Sequence, residues 1–119
     1  MAKTLVLGAS LNRERYSNLI IGRLLRYGEE VVALGLKEGE VDGVSIDTSM
    51  VPYSNVDTVT LYLNPFRQKQ YYEYICSLAP RRVIFNPGTE NPEFYEILQE
   101  NGITVSVACN LVLLSTNQY

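Results

Sequence analysis

The chain has 119 residues, of which 46% are apolar and 19% charged, and its net charge is -3 at pH 7. This length suits one hydrophobic core, so we expect a single domain over residues 1–119. No apolar run approaches the roughly 20 residues of a membrane span, no signal-peptide pattern is present, and the acidic balance argues against nucleic acid. The cytoplasm is the expected location. Histidine is absent, so we expect neither a metal site nor a catalytic residue of the usual general-base type.

The first third of the chain predicts a strand, a helix and a second strand. The apolar run KTLVLG ends at Gly8, as a buried parallel strand does. Apolar residues at helical spacing from Tyr16 to Tyr27 predict a helix, with Gly28 as its C-terminal cap. The run VVALG at residues 31–35 predicts the second strand. The whole unit has the length of one right-handed crossover.

Residues 36–55 are mostly polar, with one short β-like piece at Val44–Ile46. The spacing back to the preceding strand is too short for a helical crossover, so a short edge strand of uncertain direction is expected. The regular alternation then resumes. Strands are predicted at Asp57–Leu63, Arg82–Asn86 and Ile103–Ala108, helices at Gln68–Leu78 and Pro92–Asn101, and a short helical or irregular segment at the end.

Alternating apolar strands and amphipathic helices predict an α/β fold. We expect an open, mainly parallel sheet of about five to six strands with helices on both faces. Ligands of such sheets bind outside the carboxyl ends of the strands, where the strand order reverses. Glycine, Asn-Pro and small polar residues follow the predicted strands: GAS at 8–10, GLK at 35–37, NPF at 64–66, NPGTENP at 86–92 and CN at 109–110.

The loop after the first strand has the character of a phosphate cradle. Backbone N–H groups of Gly8, Ala9 and Ser10, with the positive end of the following helix, would face an anion. Arg13, Arg15 and Ser17 would add side-chain donors. The alternative is that Gly8 makes a tight turn and the arginines are only solvated, because one glycine is a weak signal.

Lys37 follows the second strand, where NAD-binding folds place an acid for the ribose hydroxyls. A cation there suits a phosphate carried on the ribose, as in NADP or coenzyme A. The alternative is an ordinary surface lysine after a strand.

Two Asn-Pro pairs have the residue types preferred where helices begin. Asn64 with Pro65, and Asn91 with Pro92, suit the N-cap and first helical positions, and this role needs no ligand. Helix capping does not explain Asn86, Pro87 and Gly88, because the cap of the following helix lies later in the chain, at Asn91. We therefore expect a rigid loop over the crevice there.

Several segments in combination resemble a known family: GAS.N..RYS at 8–17, YGEEVVAL at 27–34, Lys37, DTVTLYLNP at 57–65, FNPGTEN at 85–91 and the late Cys109. Together they resemble the small single-domain CoA-binding proteins, which are similar to the N-terminal CoA-binding domain of the succinyl-CoA synthetase α chain. The similarity runs from Lys3 to the end. Gly35 and Leu36 stand where that family often has Asn-Pro, and Ala108 where it often has Arg.

The resemblance implies a Rossmann-like domain that binds coenzyme A. It places the pyrophosphate over Gly8–Ser10, Arg15 and Ser17 near the phosphates, and Lys37 near the phosphoadenosine. It also places Asn64, Pro65, Pro87 and Gly88 along the pocket.

Three functions stay open on the sequence. The first is a cytoplasmic protein that binds CoA or acyl-CoA and has no evident catalytic machinery. The second is a small NADP-binding oxidoreductase subunit, with Tyr62 as a donor. The third is a redox protein in which Cys109 forms a mixed disulfide with the CoA thiol. The expected partner is a small molecule, and a homodimer or a protein partner is left open.

Overall fold

The computed structural model describes residues 3–119 and contains one seven-stranded sheet. Its strand order is β3-β4-β2-β1-β5-β6-β7, and every pairing is parallel except β3 with β4. The strands are β1 (Lys3–Ala9), β2 (Glu30–Gly35), β3 (Gly39–Val41), β4 (Val44–Asp47), β5 (Val56–Leu61), β6 (Arg82–Phe85) and β7 (Thr104–Val107). The helices are α1 (Tyr16–Arg26), α2 (Pro65–Gln68), α3 (Tyr72–Leu78), α4 (Pro92–Glu100) and α5 (Asn110–Ser115). The predicted α/β class is confirmed, with a strand count slightly above the five to six expected.

Each face of the sheet carries its own core. On one face α1 and α5 pack against the sheet around Val6, Ile20 and Leu114. On the other, α3 and α4 enclose Phe85 and Phe94, whose rings meet edge to face with centroids 5.8 Å apart. None of the helices in residues 3–119 is long and apolar enough to cross a membrane.

Helix α1 buries a narrower stripe than its apolar residues suggest. Ser17, Ile20, Ile21 and Leu24 are buried, at the spacing of one helix face. The predicted apolar face ran from Tyr16 to Tyr27, but the Tyr16 side chain is 68% exposed. The Tyr16 ring lies outside the buried stripe. The small side chain of Ser17, the next residue, belongs to the stripe and fits against the sheet. Gly28 follows the helix with φ +82°, which confirms the predicted cap.

The segment 36–55 differs from its prediction. It contains a β-hairpin, β3–β4, joined by Asp42 and Gly43 with φ of 49° and 85°. Two adjacent residues with positive φ make the tight turn that suits a hairpin. Strand β4 pairs in parallel with β2, so Val44–Ile46 lies inside the sheet and β3 forms the edge.

The helix predicted over Gln68–Leu78 begins earlier and is divided. It starts at Pro65, passes through a 3₁₀ turn at Lys69–Tyr71 and continues as α3. The Asn64 side chain accepts a hydrogen bond from the backbone N–H of Arg67 at 2.9 Å, which confirms the predicted N-cap. The apolar periodicity starts only after the cap, so it marks the packed part of the helix and misses the first turn.

Candidate functional site

A cleft of about 600 Å³ lies at the carboxyl ends of the central strands. It is centred at β1, where the strand order reverses. From β1 the chain continues to β2 on one side of β1, whereas the later strands, from β5 onward, lie on its other side. This is the place at which open α/β sheets bind ligands, and the volume is within the usual range for small-molecule sites. The lining residues lie at the carboxyl ends of β1 and β2 and in the segments that follow β1, β2 and β5: Gly8, Ala9, Ser10, Leu11, Asn12, Arg15, Leu34, Gly35, Leu36, Lys37, Tyr62, Leu63, Asn64, Arg67 and Tyr71.

The charges along this cleft are all positive. Arg15, Lys37 and Arg67 line it, and no carboxylate belongs to its lining. Each cation comes from a different part of the chain: the entry to α1, the loop after β2, and α2. In a chain of net charge -3, this concentration of cations makes the cleft a place where an anion is favoured.

The end of β1 and the loop after it are fixed by a glycine conformation and by hydrogen bonds within the loop and from helix α1. Gly8 has φ +95°, and a Cβ there would lie 3.1 Å from the Leu63 side chain, so a glycine is required. Ser10 Oγ accepts from the Asn12 N–H at 3.1 Å, and the Asn18 side chain donates to the Ser10 carbonyl at 2.9 Å. These bonds fix the backbone of residues 8–12 along the cleft.

Helix α1 points its N-terminus toward the end of this loop. Arg15 occupies the N-cap position, and no side chain caps the first-turn N–H groups. An uncapped helix start with a partial positive charge is a favourable place for an anion. Ser17, one of the residues expected near phosphate, is instead buried in the first turn and outside the lining.

Lys37 reaches the cleft because β2 ends in a close approach to β1. A Cβ on Gly35 would lie 2.3 Å from the Ala9 carbonyl oxygen, so only glycine lets the two backbones come together. The chain then turns outward through Leu36, and Lys37 follows with its side chain exposed.

Several contributors to the cleft were not predicted from the sequence, and two of them have side chains able to bind a polar ligand from outside the predicted strand ends. Arg67 and Tyr71 come from α2 and the 3₁₀ turn after it. Arg67 lies three residues after Asn64, the predicted N-cap. Because the helix begins at this cap, Arg67 falls in its first turn, beside the carboxyl end of β5. An Asn-Pro cap followed by a basic residue in the first turn is the signal that could have identified it.

Tyr62 also lines the cleft, directly after β5. Burial raises the pKa of its phenol well above the ordinary value, with the nearby Thr60 hydroxyl acting in the opposite direction. The group therefore stays protonated near neutral pH. It is able to take part in hydrogen bonds there, but it is not poised to act as a base.

The segment after β6 serves the fold more than the cleft. The Asn86 side chain is buried; it donates to Thr60 Oγ1 at 2.8 Å and to the Leu61 carbonyl at 2.9 Å, and it accepts from the Asn110 N–H at 2.8 Å. Its hydrogen-bonding capacity is taken up within the protein. Pro87 and Gly88 are exposed and, like Asn86, lie outside the lining.

Of the two residues Asn64 and Pro65, which were both expected along the pocket, only Asn64 lines the cleft. Asn64 is part of the lining, whereas Pro65 is the half-buried first residue of α2 and is not.

Neither cysteine belongs to the cleft lining. Cys109 is partly buried at the start of α5 and does not line the cleft. Cys76 is packed against the core from α3, and burial raises the pKa of its thiol. A raised pKa lowers the thiolate fraction and with it the reactivity of Cys76.

The comparisons with known proteins agree with this geometry. A family model described as a CoA binding domain matches residues 2–115. A crystal structure of an uncharacterized protein is 50% identical, with a TM-score of 0.97, over 100% of this chain and 98% of that one. A comparison with curated proteins gives no match.

Two further solved structures share the fold. A hypothetical protein from Pyrococcus horikoshii OT3 is 24% identical, with a TM-score of 0.84 over 97% of this chain and 82% of that one. A Thermus thermophilus protein, cell-free ID.343, is 21% identical, with a TM-score of 0.86 over 99% and 90%. At these identities the likeness is one of fold. With the family model matching almost the whole chain, this protein belongs to the CoA binding domain family.

Proposed function

We propose that residues 1–119 form a single domain that binds coenzyme A, or an acyl-CoA, in the cleft between the ends of β1, β2 and β5. The observation that carries this proposal is the set of three cationic side chains, without an acid, at the point where the strand order reverses. Coenzyme A carries a pyrophosphate and a ribose 3′-phosphate, so it needs more than one cation along its length.

The pyrophosphate is assigned to the loop after β1. Backbone N–H groups of Gly8, Ala9 and Ser10, the uncapped start of α1 and the Arg15 guanidinium lie on this side of the cleft. Together they resemble the donors used for phosphates at helix N-termini. Ser17 supports this site from beneath, through the packing of the first turn of α1 against the sheet.

The 3′-phosphate is assigned to Lys37. A fold that binds NAD presents a carboxylate after the second strand to accept hydrogen bonds from the ribose, whereas Lys37 presents an ammonium. A ribose that carries a phosphate is therefore favoured over one that carries two hydroxyls. NADP shares this feature and is the second ligand to be tested.

Arg67, Asn64 and Tyr71 line the other side of the cleft and are assigned to the pantetheine arm and its amides. Pro65, Pro87 and Gly88 are assigned a supporting role on this side of the cleft, where they fix the conformation of the loops. Asn86 acts from below, through its bonds to Thr60 and Asn110.

The proposed role is binding without chemistry. The titratable side chains in the cleft are arginines, a lysine and tyrosines, and the sequence has no histidine. None of these offers a general base near neutral pH in the way that a histidine or a carboxylate does.

A thermal-shift panel tests the ligand class directly, since a ligand that binds only the native state raises the melting temperature. We expect the largest increase with CoA or acetyl-CoA, a smaller one with dephospho-CoA, and none with NAD. NADP at the same concentration tests the second ligand. A response to NAD or NADP without one to CoA contradicts the proposal.

A further inference from the structure

The two edges of the sheet are built differently. At one edge, β3 has only three residues and exposes Glu40, and the following turn exposes Asp42. Short, charged edge strands discourage pairing with another chain. At the other edge, β7 has the sequence TVSV, with neither charge nor proline to block it.

Strand β7 leaves backbone groups free along its outer side. The Thr104 N–H donates to the Arg81 carbonyl and the Ala108 N–H to the Phe85 carbonyl, both toward β6. Backbone groups alternate in direction along a strand, so those of Val105 and Val107 point to the open edge. Across residues 3–119, no turn, loop or side-chain hydrogen bond reaches the N–H of Val105 or Val107.

The segment that contains this edge strand has no charged side chain of its own, and the exposed glutamates beside it, Glu96 and Glu100, belong to α4, which packs against β7. Residues 101–119 contain no Asp, Glu, Lys or Arg, although 19% of the whole chain is charged. Val107 on β7 is exposed, at 55%. Depletion of charge with exposed apolar side chains is the composition of the core of a protein–protein interface.

We propose that β7 pairs with β7 of a second copy of this chain, antiparallel, across a twofold axis at Ser106. In this register Val105 lies opposite Val107 of the second copy and exchanges both backbone hydrogen bonds with it. The symmetric pair does the same, which gives four bonds in total. The outward groups of both valines are then satisfied in both copies, with Ser106 facing its own counterpart as a non-hydrogen-bonded pair.

The composition of β7 limits the charge repulsion between two copies at this edge. Each copy carries -3, so contact through a charged surface brings like charges together. Strand β7 brings no charged side chain of its own to a contact between two copies.

Molar mass in solution tests the contact, and Val107→Lys is its disrupting variant. The wild-type protein is expected at twice 13.4 kDa in light scattering after gel filtration. Val107→Lys is expected at 13.4 kDa with an unchanged circular dichroism spectrum. Met50→Lys, a substitution at an exposed apolar residue outside residues 101–119, is the matched control and is expected to remain dimeric.

A cysteine on the axis tests the register. In a background with Cys76→Ser and Cys109→Ser, Ser106→Cys is expected to form an intermolecular disulfide on mild oxidation. Opposed non-hydrogen-bonded residues have Cα atoms about 4.5 Å apart, within disulfide reach. Thr104→Cys is the control on the same strand and face. In the proposed register the two cysteines introduced at position 104 of the dimer are four residues apart along the strand direction, or about 13 Å. They are therefore expected to stay reduced.

A wild-type mass of 13.4 kDa up to the solubility limit overturns the proposal. So does a dimer that survives Val107→Lys, and so does crosslinking of Thr104→Cys in preference to Ser106→Cys.

Discussion

At the scale of single residues, the proposed choice of ligand depends on Lys37. It is exposed on the loop after β2 and lines the cleft, at the position where an acid would select NAD. Its place at the cleft was predictable from the sequence, because it comes two residues after the glycine that ends the predicted second strand. Arg67 was not predicted, because its place in the cleft depends on how α2 folds back over the end of β5.

Lys37→Ala is expected to weaken CoA binding about tenfold, or about 1.4 kcal/mol, because one charge-assisted contact to phosphate is lost. Its effect on dephospho-CoA, which lacks the 3′-phosphate, should be small. Calorimetric titration of both ligands measures the difference. Lys69→Ala, an exposed lysine outside the cleft lining, is the control and should leave both affinities unchanged. An equal loss for the two ligands contradicts the assignment of Lys37.

Gly35→Ala is expected to destabilise the protein by about 1–3 kcal/mol in urea unfolding. The new Cβ would lie 2.3 Å from a backbone oxygen, that of Ala9, which cannot move without separating β1 from β2. In the control Gly22→Ala, the new Cβ lies 2.8 Å from the end of the exposed Asp42 side chain. That side chain can rotate away, and alanine favours the helix. Equal effects of the two changes would show that backbone approach at Gly35 is not the constraint.

At the scale of elements, the loops after the strands divide into those that line the cleft and those that hold the sheet together. The loop after β1 lines the cleft, while the loop after β6 ties α5 to β5 through Asn86. The Asn-Pro caps were predictable because capping depends on local sequence. The role of Asn86 was not, because its partners Thr60 and Asn110 are distant in the chain. The β3–β4 hairpin had a local signal, Asp42–Gly43, and this dipeptide could have identified the turn.

Asn86→Ala is expected to cost about 2–4 kcal/mol of stability, because it leaves the buried Asn110 N–H and Thr60 hydroxyl without this partner. CoA affinity of the folded protein should change little. Gln99→Ala, an exposed amide on α4, is the control for loss of a polar side chain and should be close to neutral. A variant of normal stability that fails to bind CoA would give Asn86 a direct ligand role instead.

The start of β5 gives the fold a pH dependence. Arg81 donates from Nε and Nη2 to the two oxygens of Asp57, at 3.0 and 3.1 Å. This contact lowers the pKa of the Asp57 carboxyl below its ordinary value. A carboxyl with a lowered pKa stabilises the fold above the unfolded value of about 3.9, and this contribution disappears as pH falls through the folded value.

Arg81→Ala is therefore expected to reduce stability at pH 7 by less than about 1 kcal/mol, because the Arg81 side chain is 60% exposed and solvent screens the pair. The difference from wild type should shrink toward zero in strong acid. Urea unfolding at both pH values measures it. A difference that does not depend on pH would assign the effect to packing of the arginine stem.

For the whole molecule, the sheet order sets the positions of the cleft and of the open edge strand, and hence of the two contacts that we propose. The cleft lies at the reversal beside β1, in the middle of the sheet, and the proposed contact between copies lies at the β7 edge. The two surfaces are therefore independent, and we expect Val107→Lys to leave CoA affinity unchanged. The alternation of strands and helices was enough to predict the α/β class and the edge of the sheet that carries the cleft. The strand order at β3 and β4 required the three-dimensional pairing.

The central claim is that coenzyme A binds in this cleft. The most direct measurement is a titration with CoA followed by backbone amide chemical shifts, since it reports both binding and location. We expect saturable shifts concentrated at residues 8–12, 35–37 and 62–67, and few along β7. Absence of shifts at millimolar CoA, or saturable shifts confined to another surface, would contradict the account.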